Sequence, residues 1–123
     1  MENNQTSDTQ LWVEPIGDII IARLRGTPNV ALLKEAQERI LSLVAETNKR
    51  KVLYDALEME TLPIEVPLSQ WKLDKEAGEV RLKRAVVVPN TKLAYLARLA
   101  FAEEDCRIFY NDLTAAVGWL KDS

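Results

Sequence analysis

The chain has 123 residues, 47% hydrophobic and 28% charged, with a formal net charge of −3. That length suits one packed domain and leaves no room for a second core. An acidic balance also argues against nucleic acid as a partner, because neutralising a phosphate backbone needs a concentrated excess of Lys and Arg. The local basic clusters, Lys49-Arg50-Lys51 and Arg81-Leu82-Lys83-Arg84, each precede an expected strand and read as solvated loop rims.

One cysteine, Cys106, cannot form an internal disulfide, which points to a reducing, cytoplasmic setting and a structural role for that thiol. Residues 1–10 are polar and carry no Lys or Arg, so they lack the regions of a signal peptide and read as a disordered leader to a single domain at 11–123. Apolar runs are interrupted by charge well short of the roughly 20 residues that span a bilayer, so no integral membrane segment is expected.

Strands are expected at 11–14 and 18–25, flanking a turn at Pro15-Ile16-Gly17. Trp12, in the first, reads as core. In the second, Ile20, Ala22 and Leu24 alternate with Ile21, Arg23 and Arg25, so one face is the more buried. Thr27 followed by Pro28 reads as the cap and first turn of a helix reaching about Asn48, with Leu33, Ala36, Ile40 and Val44 as its docking stripe. A short strand at 51–56 follows. After an irregular stretch comes a helix at about 67–77, then a strand at 82–88 whose unbroken Ala85-Val86-Val87-Val88 fits a central position covered on both faces. Asn90 or Thr91 caps the next helix, in which Leu93, Leu96, Ala97, Ala100 and Phe101 recur at helical spacing. A last strand at 106–110 and a helix from about Asp112, with Leu113, Ala116, Val117 and Leu120 inward and Trp119 in the core, complete the chain. The expected fold is α/β: a single five-stranded mixed sheet with about four helices in ββαβαβαβα order, its parallel strands joined by right-handed crossovers.

Histidine is absent, which removes the commonest general base and the commonest transition-metal ligand. With one cysteine and no histidine, a four-ligand zinc site cannot be assembled from N and S donors. The glycines, Gly17, Gly26, Gly78 and Gly118, are too scattered for a dinucleotide turn or a P-loop. No catalytic residue, cofactor or metal is therefore expected. Asp55, Glu58 and Glu60 lie at and just past the expected end of the 51–56 strand, where open α/β sheets usually place ligands, and read as solvated acidic loop residues. A Mg²⁺-dependent phosphoacceptor would want acids after an early strand too, but that strand ends in the basic Arg23-Leu24-Arg25.

The least regular segment, 57–73, interleaves Leu57, Met59, Leu62, Ile64, Val66, Leu68 and Trp71 with acids, and is broken by Pro63 and Pro67. Proline blocks a regular helix before about Val66, so this apolar segment folds back on the domain or meets a partner. Its residues Met59, Leu62, Ile64, Val66 and Trp71, with Asp55 and Glu58, form the candidate binding set. Ser69 stands near a helix start, where the dipole would favour a phosphate. An edge strand or the apolar segment also offers a route to homodimerisation.

Val52-Leu53-Tyr54-Asp55, Lys83-Arg84-Ala85-Val86-Val87-Val88, Arg107-Ile108-Phe109-Tyr110 and Ala115-Ala116-Val117-Gly118-Trp119-Leu120 together resemble, in type and spacing, the strands and closing helix of the STAS and SpoIIAA-like superfamily. The likeness runs from Leu11 to Lys121. It implies a four-helix, five-strand domain that binds proteins or small ligands and has no catalytic activity; relatives include anti-sigma-factor antagonists, transporter partners and lipid-carrier-like proteins. Antagonists of the STAS type carry an Asp-Ser pair for phosphorylation, whereas Ser69 here is preceded by Leu68. The resemblance is thus to the SpoIIAA-like branch without that switch. It implies a regulatory protein-interaction module or, as the alternative, a small-molecule or lipid binder with an apolar pocket under the 57–73 segment.

Overall fold

The computed structural model describes residues 10–27, 29–60, 81–101 and 105–122. Of the expected leader, residues 1–9 lie outside the described residues and Gln10 opens the first strand. The elements are β1 (Gln10–Ile16), β2 (Ile19–Gly26), α1 (Val30–Thr47), β3 (Lys51–Met59), β4 (Lys83–Val88), α2 (Thr91–Ala100), β5 (Asp105–Tyr110) and α3 (Leu113–Lys121). The fourth expected helix, at 67–77, falls outside the described residues.

The five strands form one mixed sheet in the order β1-β2-β3-β4-β5, with β1 antiparallel to β2 and the rest parallel. The hairpin turns later than expected: β1 continues through Pro15 and Ile16, and the loop is Gly17-Asp18. Gly17 sits there at φ 58°, a conformation that strains residues bearing a Cβ. Pro15 is tolerated because β1 is an edge strand, where a missing N–H need not break a ladder.

Crossovers of one hand that step steadily across a sheet put their helices on one face. α1 and α2 share such a face, where Leu33, Ile40 and Val44 of α1 and Leu93, Ala94 and Leu96 of α2 pack with Ile20, Ala22, Leu24, Val52, Tyr54, Val86 and Val88. The alternation read in β2 and the helical stripe of α1 are both borne out. α3 follows the last strand and packs on the opposite face, where Ala116 and Leu120 meet Ile19, Leu53, Ala85 and Val87. β4 is covered on both faces as expected, although the middle strand is β3. Among the fully buried side chains are Ile20, Ile40, Val52, Val87 and Leu120, each stabilising the fold by roughly 1.5–3 kcal/mol relative to exposure.

Local chemistry sets the helix ends. The cap of α1 is Asn29 rather than Thr27: its Oδ1 accepts the Leu32 N–H at 2.8 Å, while the Thr27 hydroxyl donates to Glu60 at 3.2 Å. Asn90 and Asp112 cap α2 and α3 in the same way. α3, at nine residues, is too short to hold its shape alone. Lys83 of β4 anchors it: Nζ donates to the Trp119 carbonyl at 2.8 Å and lies 4.4 Å from that indole ring. A cation there meets the unsatisfied carbonyls and negative dipole end of the helix.

Leu120→Ala is expected to lower the unfolding free energy by about 2–5 kcal/mol, because it empties a fully buried site. Trp12→Ala, at a half-exposed site, is expected to cost no more than about 1 kcal/mol. Urea denaturation of both variants checks the contrast.

Candidate functional site

The candidate residues at the end of β3 do not form one surface. β3 runs three residues beyond its expected end, because β2 beside it reaches Gly26 and the Glu60 N–H donates to the Gly26 carbonyl at 2.8 Å. Glu58 therefore lies within the strand, not in a loop, and Asp55 well inside it. Arg23 pairs in register with Asp55 and Arg25 with Glu58, so β3 accommodates one residue more than β2 between the two pairs. This irregularity keeps both carboxylates beside arginines on the α3 side of the sheet, while Met59 packs against the core on the α1–α2 side.

Asp55 is 5% exposed, which corrects its reading as a solvated acid. Its Oδ2 lies 3.0 Å from the Arg23 Nε and its Oδ1 accepts the Leu57 N–H at 3.1 Å. With both oxygens engaged, this carboxylate serves structure. Glu58 differs: its Oε1 is 3.3 Å from the Arg25 Nε, and both side chains are more than half exposed. Water screens that pair, and its contribution is correspondingly small.

Beside these pairs no described helix covers the sheet. α3 lies over β3, β4 and β5, and on β1 the alternation sends Leu11 and Val13 toward the core, leaving Trp12, Glu14 and Ile16 on the α3 side opposite Arg23, Ile21 and Ile19. Trp12 is 44% exposed and Ile16 52%. The reading of Trp12 as core is corrected: alternation put the indole on a face that the short closing helix does not reach. Trp119 is partly buried against the α3-side cluster, its ring 6.1 Å from that of Phe109. Cys106 is partly buried against the other cluster.

On the opposite face an apolar cavity of about 80 Å³ lies between α1, α2 and the C-terminal halves of β2, β3 and β4. Leu33 and Gln37 of α1, Tyr54 and Met59 of β3, and Leu96 of α2 with the adjoining Phe101 line it. The Tyr54 and Phe101 rings are 5.1 Å apart and tilted by 50°. The Arg84 guanidinium, buried in β4, stacks 5.1 Å from the Phe101 ring.

Of the remaining candidates, Leu62, Ile64, Val66, Ser69 and Trp71 lie outside the described residues. Sequence reasoning missed Arg23 and Arg25 as partners of the acids, and although it offered an apolar pocket as an alternative, it did not name the α1 and α2 residues that line this cavity. One signal was legible: Gln37 falls four residues after Leu33 and three before Ile40, so an amide lies on an otherwise apolar stripe. Among the described residues, no group of three or more His, Cys, Asp or Glu is placed to hold a metal ion, and no helix is long and apolar enough to cross a membrane.

No protein-family model matches the sequence, and neither does any curated protein. Solved structures do match. An anti-sigma factor antagonist from Mycobacterium paratuberculosis superposes with a TM-score of 0.67 at 15% identity, over 93% of this chain and 95% of that one. An uncharacterized DUF3478 protein from Shewanella loihica PV-4, with a SpoIIAA-like fold, does so with a TM-score of 0.63 at 18% identity, over 98% of both chains. The fold is SpoIIAA-like. That confirms the architecture expected from the resemblance, and the similarity spans nearly the whole of each chain.

The two ion pairs make a contrast that stability measurements can read. Arg23→Ala strands the buried Asp55 carboxylate and is expected to cost about 1–3 kcal/mol, whereas Arg25→Ala should cost less than about 1 kcal/mol. In an Asp55→Ala background, the cost of Arg23→Ala should shrink by at least about 0.5 kcal/mol. Equal costs for the two arginines would show that burial gives the Asp55 pair no additional weight.

Proposed function

We propose that this protein is a non-catalytic, cytoplasmic regulatory module that works by binding another protein. The observation that carries this reading is the uncovered part of the sheet, where Trp12 and Ile16 stand about half exposed beside the Arg23–Asp55 and Arg25–Glu58 pairs. A half-exposed indole next to arginine is the composition of energetic centres in protein interfaces, where Trp and Arg are enriched and a rim of charge selects the partner. Pro15 and Glu14 disfavour addition of another strand at the β1 edge, so the face rather than the edge is the docking surface.

The shared fold supports the regulatory half of the proposal, since one protein with this architecture is an anti-sigma factor antagonist. The lack of any histidine supports the non-catalytic half, because general acid–base chemistry near neutral pH then has to rely on carboxylates, and the most buried acid in the candidate set is already committed to Arg23. Leu62, Ile64, Val66 and Trp71 are candidate binding residues on sequence pattern alone.

The test is affinity capture from the native host using three baits: wild type, Trp12→Glu/Ile16→Glu, and Trp71→Ala. The expected result is a partner whose yield falls at least about tenfold with the double variant while far-UV circular dichroism stays that of the wild type. An unchanged set of partners at unchanged yield with a folded double variant would remove this face as the docking surface. Sedimentation of the purified protein separates a second copy of the chain from a different partner.

A further inference from the structure

A protein interior packed at ordinary density leaves few voids larger than a water molecule. The cavity between α1, α2 and the sheet, at about 80 Å³, exceeds several-fold the roughly 10–15 Å³ that admits one water. Small side chains keep it open: Ala36 on α1, Ala56 on β3 and Ala97 on α2 all face it, in positions where Leu or Ile would fill the space. Its position is also where ligands bind in open α/β sheets, at the carboxyl ends of parallel strands. Leu24 near the end of β2, Tyr54 and Met59 on β3, and Val88 at the end of β4 form its floor.

The lining decides what chemistry fits. Among the described residues the only polar side chains that line the space are the Gln37 amide and the Tyr54 hydroxyl, both on residues less than 10% exposed. A buried water needs two to four polar partners, so these walls would hold a cluster of waters poorly. No Lys, Arg, Asp or Glu appears among the described lining residues, and Arg84 stacks behind the Phe101 ring rather than lining the space. Among the described lining residues a charged ligand group would find no counter-ion, at a cost of several kcal/mol or more.

We infer that this cavity is a binding site for a small, uncharged, largely apolar molecule: a single ring or the end of a short alkyl chain, bearing at most one hydroxyl or carbonyl group. The inference is independent of the docking face, since α3 and the uncovered sheet lie on the other side of the strands from α1 and α2. Gln37 and Tyr54 are the polar residues of its described lining, and Tyr54 and Phe101, with rings 5.1 Å apart, supply an aromatic wall.

The experiment is a titration of ¹⁵N-labelled full-length protein with benzene, 1-hexanol and hexanoate, read by amide chemical shifts. Saturable shifts should centre on residues such as Leu33, Tyr54, Leu96 and Phe101, with benzene and hexanol binding at least about tenfold more tightly than hexanoate. Ala97→Leu, at a partly exposed helix position that should tolerate it, fills the space and should weaken both uncharged probes by about tenfold or more, the discrimination that a methylene-scale change in an apolar pocket delivers. Xenon NMR on the wild-type protein gives a second measurement that needs no variant, with a bound signal expected. The inference is overturned if the wild type shows neither saturable shifts up to the solubility of the uncharged probes nor bound xenon. It is overturned equally if hexanoate binds as tightly as hexanol, or if a folded Ala97→Leu binds the uncharged probes unchanged.

Discussion

A sheet of parallel strands must be covered on both faces, and here the covering is unequal. α1 and α2 together span the sheet on one side, whereas on the other the only described helix is α3, nine residues long. Nine helical residues extend about 14 Å, and two neighbouring strands already occupy about 10 Å. α3 therefore covers β3, β4 and β5 and stops short of the hairpin. The half-exposed Trp12 and Ile16, the arginines of β2 and the acids of β3 all follow from where that cover ends.

Asp55 lies on this boundary. It is on a strand that α3 partly covers, so its carboxylate is buried, yet its neighbour Arg23 is on a strand that α3 does not reach, so the guanidinium keeps half its surface in water. An ion pair with one member in each environment couples packing under α3 to the chemistry of the open face. Such a pair contributes to stability chiefly because losing Arg23 would strand the acid. One register step along the same strands, Arg25 and Glu58 are both wet and contribute little. The lengthening of β3 keeps both acids on the open face and turns Met59 to the other side.

The two faces thus offer different chemistry to different partners. On the α3 side there is a flat, partly aromatic surface rimmed by charge of both signs, which suits another protein. On the α1–α2 side there is a partly open apolar cavity whose described lining carries one amide and one hydroxyl, which suits a small uncharged molecule. Among the described elements the strands between them are what the two sides share, and β3 contributes to both: Asp55 and Glu58 outward on one side, Tyr54 and Met59 inward on the other.

Much of this was legible in the residues. The alternation of Ile20, Ala22 and Leu24 with Arg23 and Arg25, the stripe from Leu33 to Val44, the run from Ala85 to Val88 and the capping Asn90 are local patterns, and side-chain period and capping chemistry act over a few residues whatever the rest of the chain does. They established five strands, the main helices and an α/β sheet. Local pattern says which side of a strand a residue faces, however, and not what lies on that side. Trp12 and Asp55 were both misread for that reason, the one as core and the other as a solvated loop acid: only the assembled sheet decided that α3 would bury the aspartate and fall short of the tryptophan. The cavity has the same origin, since Ala36, Ala56 and Ala97 come from three separate elements and enclose a space only when the crossovers bring those elements together.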